Sequence, residues 1–246
     1  MPVRRGMIDF HTHILPGIDD GSRGVEESLE MLRRSWAQGV DTVVLTPHFY
    51  AHRESMPSFC ARRQRSLQAL LEACCEKSLP GLALGAEVHF FEGMSRSEAL
   101  ESLCVGRYLL VEMPFDRWGR RAVQEVQNLP VLRGITPILA HIERYSSIPH
   151  WEEAMAELVS GGCLTQMNAE AFRGLLSGRR ARALLRRGKV DLLGSDCHNL
   201  TSRPPDLGGL CEQLKRKMNQ DIFHTIDQVG AQVLETVKLS SIKQDI

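Results

Sequence analysis

The chain has 246 residues, and its 30 Lys and Arg are balanced by 30 Asp and Glu, giving a formal net charge of zero. That balance excludes capture of nucleic acid through bulk positive charge. A 43% hydrophobic content at this length supports a sizeable core and excludes wholesale disorder.

In chain order, Arg4 and Arg5 make a twin arginine, but the charged and histidine residues of the following DFHTH interrupt the apolar core that an export signal needs. Met7 to Phe10 reads as the first strand. Val25, Leu29, Leu32 and Trp36 then recur at helical spacing, Gly39 stands where a C-cap glycine would end that helix, and Val40 to Leu45 reads as the second strand. Further apolar runs at Leu82 to Ala86, Tyr108 to Val111, Thr136 to Ala140, Cys163 to Met167 and Val190 to Gly194 bring the total to seven strands. Helical patterns fall near residues 58–78, 95–103, 119–133, 150–160, 171–187 and 207–219. The seven cysteines, Cys60, Cys74, Cys75, Cys104, Cys163, Cys197 and Cys211, are odd in number and contain no C-x-x-C pair, which fits reduced thiols in a cytoplasmic protein. No stretch reaches the ~20 apolar residues that span a bilayer, so no direct membrane insertion is expected. Strand and helix alternate without a linker, predicting one α/β domain over residues 1–246. Its sheet is either open and doubly wound or closed into a barrel, with ligands beyond the carboxyl ends of the strands.

Those ends carry His11 and His13 after the first strand, His48 after the second, Glu87 after the third, Glu112 after the fourth, His141 after the fifth, and Asp196 with His198 after the seventh. An H-x-H pair alone means little, because nine histidines in a chain of this length produce one by chance about 0.3 times. The set is more telling. Histidines recur at successive strand ends beside unpaired carboxylates in apolar segments such as LLVEM and LLGSDCH, and a divalent cation offsets the cost of burying such carboxylates. A metal site follows. Cys197 and Arg203 also match C-x5-R, the mark of cysteine-dependent tyrosine phosphatases, but 24 arginines make that spacing expected about 0.7 times by chance. The intervening HNLTS lacks the glycines that wrap phosphate, and alternation turns Cys197 away from its neighbours, so it reads as a bystander.

The segments MIDFHTHILPGIDDG, TPH at Thr46 to His48, GAE at Gly85 to Glu87, AHIERY at Ala140 to Tyr145 and SDCHNLTSRPP at Ser195 to Pro205 resemble the PHP family. Within it they are most similar to the bacterial manganese-dependent protein tyrosine phosphatases of capsule and exopolysaccharide operons (the CpsB/YwqE type). The resemblance implies a distorted seven-stranded (β/α) TIM-like barrel holding three divalent metal ions, manganese first, with iron, zinc, cobalt or magnesium as alternatives. Carried over by position, His11, His13, Glu87 and Asp196 hold the first metal. Glu87 bridges to a second, completed by Glu112 and His141, and Asp20, His48 and His198 hold the third. His141 and Asp196 thereby count as catalytic residues together with Arg144 and Arg203, whose guanidinium forks match phosphate geometry. Asp9, two before His11, is expected to hydrogen-bond a ligand, and Asn199 to do the same or to shape its turn.

The implied activity is hydrolysis of phosphotyrosine on a protein, a bacterial tyrosine autokinase tail that regulates capsular or exopolysaccharide synthesis and export, in the cytoplasm. A small-molecule phosphomonoesterase such as histidinol phosphatase is the alternative within the family. A non-catalytic regulatory partner of a polysaccharide export complex is the alternative from another class. GIDDG, which places Asp20 where the histidinol enzymes tend to carry a histidine, and HIERY favour the tyrosine phosphatase. Phe49 departs from the pattern, since many relatives carry a second histidine there. The basic runs Arg62, Arg63, Arg65 and Arg179, Arg180, Arg182 read as solvated helix faces, with reception of an acidic tail as their other use.

Overall fold

Among the described residues of a computed structural model, 6–74, 78–235, 237 and 239, nine strands alternate with seven α-helices. Arg4, Arg5, Cys75 and the 75–77 part of the predicted helix at 58–78 lie outside the described residues. The elements are β1 (Met7–Thr12), α1 (Val25–Ala37), β2 (Val40–Leu45), β3 (His48–Phe49), α2 (Met56–Ala73), β4 (Gly81–Leu84), β5 (Glu87–His89) and β6 (Tyr108–Glu112). They continue as α3 (Arg120–Arg133), β7 (Thr136–Leu139), α4 (Trp151–Ser160), β8 (Leu164–Asn168), α5 (Leu175–Arg186), β9 (Leu192–Gly194), α6 (Leu207–Lys215) and α7 (Gln220–Leu234).

Nine strands reduce to the seven staves predicted. β2 and β3 form one stave parted at Thr46 and Pro47, and β4 and β5 form another parted at Gly85 and Ala86. Backbone pairing crosses both gaps: Gly85 N–H donates to the Leu45 carbonyl (2.9 Å) and Glu87 N–H to the Pro47 carbonyl (3.0 Å). All pairings between the named strands are parallel. The last stave returns to the first. Asp196 N–H donates to the His11 carbonyl (2.7 Å) and His13 N–H to the Cys197 carbonyl (2.9 Å), so the curled sheet closes rather than remaining open.

Closure buries both faces of the strands, which explains their nearly continuous apolar runs. Inside, Phe10, Val44, Ala83, Leu110, Ile138 and Leu192 form one cluster, and α7 packs Val233 and Val229 onto it at the amino-terminal end of the barrel. Contact there is close: a Cβ on Gly230 would lie 2.9 Å from the Phe10 ring. Outside, residues of opposite parity, among them Val43, Leu82, Val111 and Leu139, pack against the helices.

α1 ends as its sequence predicts, with Gly39 at φ +85° donating its N–H to the Trp36 carbonyl (2.9 Å). Three expectations change. The helix at 95–103 is instead two 3-10 turns, Met94–Arg96 and Leu100–Leu103, separated where Ala99 adopts φ +61°. α7 is an element that periodicity did not mark. Arg63 is not on a solvated face: it is buried, and its guanidinium donates to the carbonyls of Gly85 and Ser102 (2.6 Å each), tying α2 to the break between β4 and β5. The six described cysteines form no disulfide. No helix among the described residues is long and apolar enough to cross a membrane.

Candidate metal centre

The residues at the carboxyl ends of the staves reach one space because the backbone departs from plain alternation at three places. In β1, Asp9 pairs with Val43 and Thr12 with Leu45, three residues against two, so the strand carries a bulge. The inward position therefore passes from Phe10 to His11 and His13. At the other two places, His141 (φ +33°) and Asp196 (φ +53°) sit in the left-handed region, a strain of about 1–3 kcal/mol each that clusters at functional sites and here swings both side chains into the barrel. Space is as constrained as direction. A Cβ on Gly194 would meet the His11 Cβ at 2.6 Å, and one on Gly21 would meet the His13 carbonyl at 2.1 Å, so both positions require glycine.

All nine positions predicted as ligands converge. His11 Nε2 and His13 Nε2 lie 3.1 Å apart, and each faces Glu87 Oε2 (3.2 and 3.4 Å) and Asp196 Oδ1 (3.5 and 3.3 Å). His141 Nε2 lies 2.9 Å from Glu87 Oε1 and 3.3 Å from Glu112 Oε1. Asp20 Oδ1 lies 3.5 Å from His48 Nε2 and 3.6 Å from His198 Nε2. The predicted grouping is more partitioned than the observed one. His13 also falls with Asp20, His48 and His198, and His48 with Glu87 and Glu112, so Glu87 is central to the whole cluster.

The donor set fits cations. Nitrogen and oxygen ligands about 2.0–2.2 Å from a common ion stand roughly 3.0–3.5 Å from one another, the spacing seen here, and no cysteine intrudes. Glu87 Oε2 and His48 Nδ1 are 2.8 Å apart and both buried, yet neither makes a hydrogen bond. Two such orphaned atoms side by side are costly unless a shared ion satisfies them.

Amides and carboxylates hold this set, and several escape sequence reasoning. Gln166 Oε1 lies 3.1 Å from His11 Nδ1 and accepts the His141 N–H (2.9 Å), while Asn168 Nδ2 donates to Asp196 Oδ2 (2.7 Å). Both project inward from β8, the one stave without a predicted ligand; the signal was two amides two residues apart, Gln166 and Asn168, continuing the face that Leu164 begins. Asp19 accepts from His13 Nδ1 (2.8 Å), His48 N–H (3.0 Å) and Gly21 N–H (3.0 Å), which offset its burial and hold its carboxyl below the ordinary range. His89 pairs with Glu112 Oε2 at 2.8 Å. Asp9 does not reach the His11 ring, because the bulge separates them; its Oδ1 accepts instead from the backbone of His11 (3.4 Å) and Ser195 (2.8 Å). Asn199 shapes its loop, accepting from the N–H groups of Thr201, Ser202 and Arg203. Phe49 points into the core, edge-on to Phe59 at 5.1 Å, so a histidine at 49 would not face the cluster.

The carboxylates govern protonation. Burial opposes charge on His13 and His141, yet hydrogen bonds to Asp19, Asp196 and Glu87 raise His13 well above its ordinary value, and those to Glu112 and Glu87 raise His141 to about 9. Burial alone would push Glu87 and Asp196 up; the neighbouring histidines hold both well below the carboxylate norm. His198 falls to about 4, through burial and then the charges of His13 and Arg203. A cation binding His141 must therefore displace a proton at neutral pH. Apparent metal affinity of the chelator-stripped protein should rise as pH approaches about 9 and fall about tenfold per unit below for each proton displaced. Metal titrations between about pH 6 and pH 8 that give one constant affinity contradict this.

Comparison with known proteins agrees with this geometry. The family described as "Capsular polysaccharide synthesis, CpsB/CapC" matches residues 7–234. The chain belongs to the CpsB/CapC family. It is 33% identical to the tyrosine-protein phosphatase CpsB of Streptococcus pneumoniae over 81% of this chain and 86% of that one. It is 31% identical to the tyrosine-protein phosphatase YwqE of Bacillus subtilis (strain 168) over 80% and 79%. Crystal structures of YwqE from Bacillus subtilis and CpsB from Streptococcus pneumoniae, described as unique metal-dependent tyrosine phosphatases, share the fold. The matching chain has a TM-score of 0.77 and 24% identity, covering 95% of this chain and 97% of that one.

In this CpsB/CapC chain two arginines flank the cluster. Arg144 Nη2 and Arg203 Nη2 each lie 2.5 Å from Asp196 Oδ2, and Arg203 Nη1 is 3.0 Å from His198 Nε2. Asp196 thus divides its oxygens, Oδ1 toward the histidines and Oδ2 toward the guanidiniums. Both arginine side chains stay about a third exposed (34% and 32%) while their carboxylate is buried, which distinguishes them from surface ion pairs. Cys197 is fully buried on the far side of its backbone, and burial pushes its thiol well up, away from the thiolate a nucleophile needs.

Proposed function

We propose that this chain is a metal-dependent protein tyrosine phosphatase acting in capsular or exopolysaccharide synthesis. The observation that carries the reading is the division of Asp196, which joins a His and Glu cluster suited to cations to two arginines suited to phosphate. Similarity to the CpsB and YwqE phosphatases supports it. The finer assignment is three metals, preferably manganese, held by His11, His13, Glu87 and Asp196, by Glu87, Glu112 and His141, and by Asp20, His48 and His198. The substrate is a phosphotyrosine-bearing tail of a bacterial tyrosine autokinase in the cytoplasm, and the domain spans residues 1–246.

Bound divalent cations supply an activated water and neutralise charge on phosphoryl oxygens. The chain's own residues do the rest. Arg144 and Arg203 take up the remaining phosphate oxygens, exchanging a contact with Asp196 Oδ2 for one with substrate, while Asn168 keeps that oxygen hydrogen-bonded. Gln166 and Asp19 fix the imidazoles of His11 and His13, so their ring nitrogens need no reorganisation as charge develops. The phenolate leaving group has a conjugate acid near ~10, so no general acid is assigned.

Metal analysis of purified protein, alongside hydrolysis of phosphotyrosine peptide, phosphoserine peptide and histidinol phosphate, tests the reading. Three metals per chain, preference for phosphotyrosine and loss of activity with chelator are expected. Cys197→Ser should keep most of the activity. Turnover confined to histidinol phosphate, or a chelator-resistant enzyme killed by Cys197→Ser, contradicts the proposal.

A further inference from the structure

At the mouth of the site Phe115 presents a half-exposed ring whose ring contacts among the described residues are His141 and Tyr145. Beyond β6 the chain leaves Glu112 and runs through Met113 to Gly119, and this loop is pinned. Met113 N–H donates to the Tyr145 hydroxyl (2.8 Å), Trp118 Nε1 donates to the Pro114 carbonyl (2.9 Å), and the Trp118 ring meets Tyr145 edge-on at 4.7 Å. Tyr145 and Trp118 are buried by these contacts. Phe115, in the same loop, is 48% exposed.

Its covered side lies on the metal cluster. The Phe115 ring stacks on His141 at 5.7 Å and 18°, and His141 stacks on His11 at 5.7 Å and 28°. Three rings therefore form a column from the barrel interior to the rim, with Phe115 outermost and Tyr145 buttressing it at 5.5 Å. Other apolar side chains are more exposed, Leu175 and Val131 among them; Phe115 stands apart because its ring stacks on His141, a member of the cluster. On the proposed reading, a phosphoryl group would lie by the arginines that meet Asp196, and its ester substituent would extend toward the mouth, where Phe115 stacks on His141.

We infer that Phe115 is the platform on which the phenyl ring of phosphotyrosine lies, a specificity-determining residue that favours aromatic over alkyl phosphate esters. The inference rests on the phosphotyrosine reading above and names the part of the site that selects the leaving group. Rings offset-stacked or met edge-to-face gain from area and quadrupole together, and an alkyl phosphate ester has no ring to offer.

The test compares metal-loaded wild type, Phe115→Ala and Phe115→Tyr for calorimetric binding of phenylphosphonate and methylphosphonate, and for turnover of a phosphotyrosine peptide. Phe115→Ala should weaken phenylphosphonate about tenfold, leave methylphosphonate unchanged, and raise KM for the peptide by a similar factor with little change in kcat. Phe115→Tyr should keep the wild-type preference, and all three should hold the same metal content. Equal weakening of both phosphonates, or of neither, in an enzyme that cleaves phosphotyrosine overturns this inference alone. A wild type that cleaves no phosphotyrosine peptide overturns the reading beneath it, and the inference with it.

Discussion

Glu87→Gln is expected to lower kcat/KM by at least about a thousandfold and to release most of the bound metal, with the far-ultraviolet circular dichroism spectrum unchanged. The substitution keeps the shape of the side chain and removes its charge. Oε2 of Glu87 lies within 3.4 Å of ring nitrogens of His11, His13 and His48, and Oε1 lies 2.9 Å from His141, so one carboxylate serves four imidazoles from three staves. A glutamine cannot offset several cationic charges in a site with almost no water, and its NH2 would confront ring nitrogens that point inward to ligate. Metal stoichiometry by mass spectrometry is the deciding measurement. A variant that keeps its metal and more than a tenth of its activity would show that the cluster does not depend on this bridge.

Arg144→Met should cost about 100- to 1000-fold in kcat/KM while leaving the metal content unchanged, and Arg144→Lys should recover little of the loss. The two predictions separate because Asp196 Oδ2 keeps Arg203 and Asn168 when Arg144 is removed, so the ligand is not left unpaired. Inhibition by inorganic phosphate provides an independent readout. Undiminished phosphate affinity in Arg144→Met would assign the arginine to holding Asp196 rather than to gripping substrate.

Much of this was legible because parallel strands write their positions plainly. Apolar runs located all seven staves, and the polar residues just after them located the cluster. What stayed hidden was backbone geometry. Strict alternation places Asp9 beside His11 and faces Phe10 the other way. Only the bulge in β1 reconciles Phe10 in the inner core with His11 in the site, and no residue type announces a bulge. The left-handed turns at His141 and Asp196 were equally silent, since neither residue is a glycine. Gln166 and Asn168 were missed for a different reason: amides are weak ligands, so a search for ligands passed over the residues that aim them. α7 did carry a signal, with Phe223, Ile226 and Val233 at helical spacing behind the Asn219 cap, diluted by Gly230, which is present because Phe10 leaves no room for a side chain.

Among the described residues, α7 packs Val229 and Val233 onto the inner cluster at the amino-terminal end of the barrel, so the site opens toward the carboxyl-terminal mouth. Reactant and both products share it. With the phosphoryl group deepest and the tyrosyl side chain above it at the rim, as proposed, departure would follow a queue: the dephosphorylated chain first, inorganic phosphate after it. Phosphate would then compete with each new substrate at that mouth, and turnover should be sensitive to added inorganic phosphate.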